Sequence, residues 1–568
     1  MKYLNKTKFQ IIIILLFALI PYINIFQNEF VIDDSIFLNW AQGKNLSDFW
    51  NIFKGELPLG HEGVYRPIRG LIYVLVHLFF GSSPFWFHLY GLFVHLSASI
   101  LIYLIATKIS KNNLIGFGTA LIFASHPIHT ETITYISASM EATGLVYMLV
   151  SFYLYLLCHS EAKPKNLNRS FATLRMTLYL GSIIFALLAF FTYEMTLTLP
   201  LLIVLYSVIL RQSRRIPRLD PSLALRMTKS TLRMVLKRSL VYLPYFLGLF
   251  FYFLVRLLVT GIKGRAPYPG DSLYITFLAM FDVFFEYLKL IILPINQVNN
   301  HILINNAEAF IYRGYNQEPF KQLNILNFEI LVYILIYIGL FILAFKSFKK
   351  LPFIAFGLGV FFISLLPVLG IVPQGSLMNE KFLYLPSFGI IFLLVWLGFK
   401  YLKEKVLIIV LIISLIFSFF TFVRNKDWKD NLTIWAKDAK VYPEHNAYAY
   451  FQLGNAYREK GNLELAVKNY QKSYQINPNF SVAFASLAQV YDLAGDKNTA
   501  LKLYNELLSK DPYFWEAYRE IGKIYLKQEK FPEAKREFEK ILAIYPGNQE
   551  AIQLLFVAQQ ELDSLPKK

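Results

Sequence analysis

Residues 406–428 read VLIIVLIISLIFSFFTFVRNKDW. Eighteen positions pass without a charge, and then Arg424, Lys426 and Asp427 arrive within four residues. About 20 apolar residues cross a bilayer as a helix, and shorter runs cross with tilt or local thinning. The stretch therefore ends a membrane span and begins a water-soluble segment, and it divides the chain into two parts of different composition. Of 568 residues, 56% are apolar or aromatic and 17% are charged, against about 25% charge in ordinary soluble domains. The 52 Phe and 37 Tyr exclude a disordered chain. Cys158 is the single cysteine, which excludes an intramolecular disulfide and a cysteine-based zinc cluster.

Upstream of the boundary, further apolar runs lie at about 9–26, 85–106, 114–125, 140–158, 177–193, 196–210, 240–259, 328–345, 352–369 and 384–399, which with 406–422 makes eleven spans. The first run follows Lys2, Lys6 and Lys8 and lacks a small-x-small cleavage site, so it reads as an uncleaved span with a cytoplasmic start. Every strongly basic connection then falls on the cytoplasmic side: Lys108 and Lys111; Lys163, Lys165 and Arg169; Lys346, Lys349 and Lys350; Lys400, Lys403 and Lys405. The 211–239 loop carries nine Lys or Arg against Asp220 alone. This is the positive-inside pattern. From Arg424 on there are 21 Lys and Arg and 19 Asp and Glu, so +16 of the formal +18 lies before it. Basic residues spread between spans are topology signals and give no basic face for a nucleic acid. Two apolar stretches, 67–80 and 276–293, would invert the pattern as crossings, and read as juxtamembrane or re-entrant helices on the outer side.

Beyond the boundary, prolines recur at Pro478, Pro512 and Pro546, a period of 34. The same period carries Leu453/Leu487/Ile521, Gly454/Ala488/Gly522, Tyr457/Tyr491/Tyr525, Ala466/Ala500/Ala534 and Tyr470/Tyr504/Phe538. This is the tetratricopeptide pattern, in which small residues let two helices approach and aromatics fill between them. The fold class is all-α: a polytopic membrane bundle followed by an α-solenoid. Residues 1–423 form the membrane domain, 424–446 a connector with a degenerate half-repeat, and 447–568 the repeats (447–480, 481–514, 515–548) with a capping helix. Span parity puts the repeats outside the cytoplasm, where their groove would hold a protein or peptide; the alternative is that they only pack on the membrane domain.

Ionisable residues at several span ends on one side call for a reason. The outer ends carry Asp33-Asp34, Tyr65-Arg66-Pro67-Ile68-Arg69, His126-Pro127-Ile128-His129-Thr130-Glu131, Glu141, Tyr193-Glu194 and Glu380-Lys381-Phe382-Leu383-Tyr384-Leu385-Pro386. Asp33 and Asp34 are solvated acids, caps of a helix starting near Ser35, or a general base for a hydroxyl. His126 and His129 order a turn or, with Glu131, ligate a metal; Pro127 between them and the shortage of further ligands favour the turn. Arg66, Arg69 and Lys381 suit phosphate or lipid headgroups. Glu131 and Glu141 lie about 15 Å apart on a continuous helix, too far for an acid–base pair. Arg256, near a span end, would snorkel.

Together these motifs resemble the transmembrane and tetratricopeptide-repeat O-mannosyltransferase family among the membrane-embedded C-type glycosyltransferases, in a bacterial-type form. Asp427-Trp428 at the head of the repeats fits as well. The chain departs from the family in Ala138-Ser139 where Gly-Arg is frequent, in Lys381 where Arg is usual and in Arg69 where a small polar residue is common. The resemblance implies transfer of a sugar, mannose in the family, with inversion, from a polyprenyl-phosphate donor to Ser or Thr hydroxyls of proteins outside the cytoplasm. Asp34, slightly ahead of Asp33, resembles the catalytic base. Arg66 and Lys381 would hold the donor phosphate, and Glu131, Glu141 and Glu194 would shape the sugar or acceptor site. Arg69, His126, His129, Glu380 and Tyr384 complete the expected substrate-binding set. No metal or other cofactor is implied; the lipid-linked sugar phosphate is a substrate. The expected location is the cell membrane of a bacterium or the endoplasmic reticulum membrane of a eukaryote. Two alternatives stand: transfer to a glycolipid or cell-surface polymer, and a non-catalytic scaffold or flippase that recruits partners through the repeats. A topology reporter fused after Lys568 is expected to report the non-cytoplasmic side, and a cytoplasmic signal overturns the orientation.

Overall fold

The computed structural model describes residues 7–56, 58, 64–159, 169–211, 240–261 and 266–564. Among the described residues regular structure is helical, apart from one antiparallel bridge between Ile302 and Glu308. The chain divides into two units, Met1–Gln297 with Leu323–Thr433 and Val298–Gln322 with Ile434–Lys568. Lys2, Lys6, Lys163, Lys165 and the 212–239 part of the basic loop lie outside the described residues.

In the first unit all eleven apolar runs are helical. Among the described residues six stretches are long and apolar enough to cross a bilayer: Thr7–Gln27, Pro84–Ser110, Ile136–Cys158, Thr173–Phe190, Phe328–Lys350 and Pro386–Trp428. The last contains two helices, Pro386–Leu402 and Val406–Arg424, divided by a turn in which Lys403 has a φ of 54°. Asn113–Ser125, Glu194–Ile209, Leu243–Val259 and Pro352–Val368 are shorter apolar helices. This is a multi-pass membrane unit. The 14-residue Pro67–Phe80 helix belongs to the same group of shorter apolar helices. The Leu273–Ile292 helix carries Asp282, Glu286 and Lys289, of which Asp282 is buried.

Small residues and capped turns set the helix contacts. Lys111 adopts φ 58° and the Asn112 side chain accepts from Leu114 N and Ile115 N, which folds Pro84–Ser110 sharply onto Asn113–Ser125. A Cβ at Gly116 would lie 1.9 Å from Thr107 Oγ1. At the crossing of the Pro352–Leu365 and Pro386–Leu402 helices, a Cβ on Gly357 or Gly389 would strike the other glycine's carbonyl oxygen at 2.7 or 2.4 Å. Such close backbone approach is how helices pack where lipid gives them no hydrophobic drive to associate.

The second unit is built of helical pairs, Ala447–Glu459 with Leu463–Ile476, Ser481–Leu493 with Lys497–Lys510 and Trp515–Lys527 with Phe531–Ile544, and Gln549–Ser564 follows them. Tyr470, Tyr504 and Phe538 are buried at the positions the 34-residue period assigns. The tight turns inside the pairs require a left-handed residue, which Gly461 (φ 76°), Gly495 (φ 90°) and Glu529 (φ 58°) provide in register.

Residues 298–322, placed by sequence within the membrane domain, fold inside this second unit. Asp438 accepts from Asn299 N and Asn300 N at 2.7–3.1 Å. Asn300 Nδ2 donates to Asn446 Oδ1 at 3.0 Å, and Asn446 Nδ2 donates to the Asn300 backbone carbonyl at 3.2 Å. Buried Glu308 accepts from Tyr448 N and the Tyr312 hydroxyl, and the Tyr312 ring lies 4.4 Å from that of Phe480. Gly314 (φ 80°) passes so close to Asn479 that a Cβ would sit 2.5 Å from its carbonyl oxygen. The segment has no helical period, so nothing in its pattern announced a partner in the repeats.

Within the third pair, a Cβ on Gly522 would lie 2.4 Å from the buried Phe538 ring. Gly522→Val is expected to destabilise the second unit by about 1–3 kcal/mol through overpacking, read as earlier loss of protease resistance of the C-terminal third on heating; an unchanged profile contradicts the packing.

Candidate functional site

Val31 to Asp34 form a tight turn, with Asp34 N donating to Val31 O at 3.0 Å and Val31 N returning to Asp34 Oδ2 at 3.2 Å. Inside it Ile32 has a φ of 56°. The left-handed region costs a β-branched residue about 1–3 kcal/mol and persists only where neighbours enforce it. Ile32 N donates to Asn431 Oδ1 at 2.8 Å, Glu29 N to Lys429 O at 2.8 Å, and Asn28 Nδ2 to Asn425 O at 3.2 Å.

The turn sets the two aspartates at different depths. Asp34 is fully buried, and its Oδ1 accepts from Ser137 N at 2.8 Å in the first turn of the Ile136–Cys158 helix. The carboxyl thereby satisfies an end N–H where the helix dipole is positive. Burial, with the charge of Asp33 adding, pushes Asp34 up to about 8. Asp33 is partly exposed, and its Oδ1 accepts a short hydrogen bond from the Tyr135 hydroxyl. The Tyr135 ring stacks on Trp428 at 5.7 Å, and Lys381 Nζ lies 5.4 Å from its centroid. Tyr135 also breaks the helix between Glu131 and Glu141 with a ψ of 112°. The continuous helix expected there is two, Thr130–Thr134 and Ile136–Cys158.

Beside this turn, cations converge on one buried carboxylate. Glu141, with a side chain 4% exposed, pairs with Arg66, with Arg69 at 2.8 Å and with Lys381 at 3.4 Å. Arg66 Nε also donates to Glu194 Oε2 at 2.5 Å. Arg256, expected to snorkel, instead lies 3.9 Å from Glu194. Rings support the guanidinium groups: Arg66 over Tyr193 at 5.1 Å and Arg69 over Phe37 at 4.2 Å. Glu131 accepts from Lys381 N at 3.0 Å, and burial, eased by the Lys381 charge, pushes it up to about 7. Glu380 accepts from Gln297 Nε2 at 2.9 Å and lies 3.7 Å from Arg424.

The remaining expected residues are packed out of reach. His126 Nε2 donates to Ile291 O at 2.8 Å while its Nδ1 accepts from Ile128 N. His129 Nδ1 donates to Phe123 O at 2.9 Å and Nε2 meets Ser387 Oγ at 2.9 Å. Both are fully buried, and burial lowers them below the ordinary histidine range, His126 to about 4. Tyr384 is buried with its hydroxyl on His95 Nδ1 at 2.8 Å. In this structure His126, His129 and Tyr384 order the turns beneath the site and do not line it.

A tetratricopeptide-repeat family profile matches residues 447–480 and again 515–548. The human protein O-mannosyl-transferase TMTC3 is 24% identical over 470 residues, which cover 78% of this chain and 48% of that protein. A Caenorhabditis elegans protein O-mannosyl-transferase, F38B6.6, is 23% identical over 499 residues, covering 83% and 63%. Over most of its length this chain is similar to these protein O-mannosyl-transferases. It spans about half the length of the human O-mannosyltransferase. The mouse O-mannosyltransferase TMTC1 is 31% identical over 151 residues, 26% of this chain and 15% of that protein. Among solved structures, the first repeat domain of Spaghetti (RPAP3) with an HSP90 peptide aligns at 26% identity and a TM-score of 0.20, covering 21% of this chain and 96% of that one.

Of the residues expected at the site, the Asp-Asp turn, Arg66, Arg69, Glu141, Glu194 and Lys381 lie in one neighbourhood, and Glu131 and Glu380 flank Lys381. Tyr135, Asn431 and Arg424 belong to the same neighbourhood without having been singled out. Only the polarity of Arg424 and Asn431 at a span end could have marked them.

Unfolded, Asp34 titrates near 3.8; folded, near 8. Between these values the folded chain holds a proton that the unfolded chain lacks, so the contribution of this group to stability is full at low pH and is lost as pH rises through about 8. Asp34→Asn is expected to flatten the dependence of the melting temperature on pH between 4.5 and about 8 in detergent; a slope equal to the parent's contradicts the burial argument.

Proposed function

We propose that this chain is an integral-membrane glycosyltransferase that moves a sugar, mannose by analogy with its relatives, from a polyprenyl-phosphate donor to Ser or Thr hydroxyls of proteins on the non-cytoplasmic side. The observation that carries the proposal is the charge cluster beside Asp33. There Arg66, Arg69, Lys381 and Arg256 converge on Glu141 and Glu194, and Glu131 accepts from Lys381 N. The Arg69 Nε donor is buried without a hydrogen-bond partner among the described residues. Buried guanidinium groups with an unused donor match the phosphate of a lipid-linked sugar, and their planar forks suit its oxygens.

In this scheme the acceptor hydroxyl gives its proton to Asp33 as its oxygen bonds to the sugar C1. The bond from C1 to the phosphate oxygen breaks on the opposite face, its electron pair leaves on the phosphate, and the configuration inverts. Lys381, with a side chain 18% exposed, and Arg66 stabilise the charge that builds on the leaving group. The base is Asp33 in preference to Asp34, because both oxygens of Asp34 accept from backbone N–H groups. Lys381 over the Tyr135 ring ties the phosphate side to the base side, since the Tyr135 hydroxyl holds Asp33. The basic loops support a cytoplasmic N-terminus and repeats outside, where the solenoid groove would hold a protein acceptor.

Purified full-length protein given radiolabelled polyprenyl-phosphate mannose and a Ser/Thr-rich protein is expected to transfer label. Asp33→Asn is expected to lower kcat by at least about 100-fold with donor KM near the parent value, and Asp34→Asn to cost less. Parental turnover by Asp33→Asn sinks the assignment of the base, and no transfer by the parent from a panel of polyprenyl-phosphate sugars favours a non-catalytic scaffold.

A further inference from the structure

The Asp-Asp turn is held from a distance. Residues 21–32 and 422–431 are joined by a run of hydrogen bonds: Asn24 Nδ2 to Phe422 O at 2.8 Å, Asn425 Nδ2 to Pro21 O at 2.8 Å, Asn28 Nδ2 to Asn425 O at 3.2 Å, Glu29 N to Lys429 O at 2.8 Å and Ile32 N to Asn431 Oδ1 at 2.8 Å. The first four hold extended or helical backbone. The last holds the residue at φ 56°, and that residue directly precedes Asp33. The amide oxygen of Asn431 is the acceptor that fixes the direction of the Ile32 peptide, and the next φ and ψ aim the Asp33 carboxylate at the Tyr135 hydroxyl.

We propose that Asn431 is a positioning residue for the Asp33 base: its side-chain oxygen clamps Ile32 in the left-handed conformation and thereby aims the Asp33 carboxylate. The inference rests on the reading of Asp33 as general base. Ile is a poor occupant of that conformation and glycine a free one, so the clamp matters because residue 32 has a branched side chain. With the acceptor gone, Ile32 relaxes toward negative φ and the carboxylate swings with it. Hydrogen bonds in the rest of the run keep the two segments together, so binding of the donor on Arg66 and Lys381 is little affected.

The test is a double-mutant cycle on the full chain in detergent, with radiolabelled polyprenyl-phosphate mannose as donor. Asn431→Ala is expected to lower kcat at least tenfold with donor KM within twofold. Ile32→Gly in the same chain is expected to restore at least half of that loss, because glycine adopts the turn without a clamp. A structural role alone gives the opposite: glycine lowers stability further and rescues nothing. Hydrogen exchange supplies a readout independent of turnover, since Asn431→Ala is expected to speed amide exchange in the peptide covering 29–34 and leave that covering 140–150 unchanged. Should Asn431→Ala fail to fold, Asn431→Ala is compared on the Ile32→Gly background, where its effect on kcat is expected to fall below threefold. Parental kcat in Asn431→Ala, a change in KM alone, or absence of rescue overturns the proposal. Faster exchange in a protein whose parent transfers no sugar keeps the clamp and rejects the glycosyltransferase reading.

Discussion

A carboxylate buried at the end of a membrane helix has to be paired, and Glu141 is paired three times over, by Arg66, Arg69 and Lys381. These cations come from the start of the Pro67–Phe80 helix and the turn before the Pro386–Leu402 helix, so one charge draws together loops that are far apart in sequence. Taking any of these ions out of water costs several kcal/mol, which only good geometry and further hydrogen bonds offset. Glu194 repeats the arrangement with Arg66 and Arg256. Lys381 is shared further, since Glu131 accepts from its backbone N–H.

The Asp-Asp turn obeys a second constraint, the shortage of backbone partners at a helix start. Asp34 fills a vacancy at the start of the Ile136–Cys158 helix, and this fixes the turn from below. The connector after the last span fixes it from the side, through Asn425, Lys429 and Asn431. Two neighbouring acids thus have different duties. One is consumed by the fold, and the other remains within reach of solvent while hydrogen-bonded to Tyr135.

Much of this was readable in the chain because charge is expensive next to lipid. Arg66, Glu141, Glu194 and Lys381 stood out as charges at span ends, and the 34-residue period of Gly454, Ala488 and Gly522 announced the repeats. What stayed hidden depends on three-dimensional neighbours. The left-handed Ile32 has no residue signal, since glycine or asparagine would have marked such a turn. Asn431 acts 399 positions away from its partner and Tyr135 102 positions away from Asp33. His126, His129 and Tyr384 were visible as polar residues beside apolar runs, yet polarity does not say whether a side chain faces a cavity or a carbonyl. Arg256 was misjudged for the same reason.

The membership of residues 298–322 in the repeat unit has a consequence for biosynthesis. Ribosomes deliver that segment more than a hundred residues before Ile434, so its asparagines and Tyr312 wait without their final neighbours while later helices insert. Asp438, Asn446 and Phe480 complete their surroundings only when the late-made solenoid meets this early-made stretch. The soluble unit therefore has a high sequence separation built into its core, the kind that slows folding. A fragment expressed from Ile434 onward would strip the backbone donors from the Asp438 carboxylate and the Tyr312 ring from Phe480, which makes the isolated C-terminal third a poor surrogate for the unit as it exists in the whole chain.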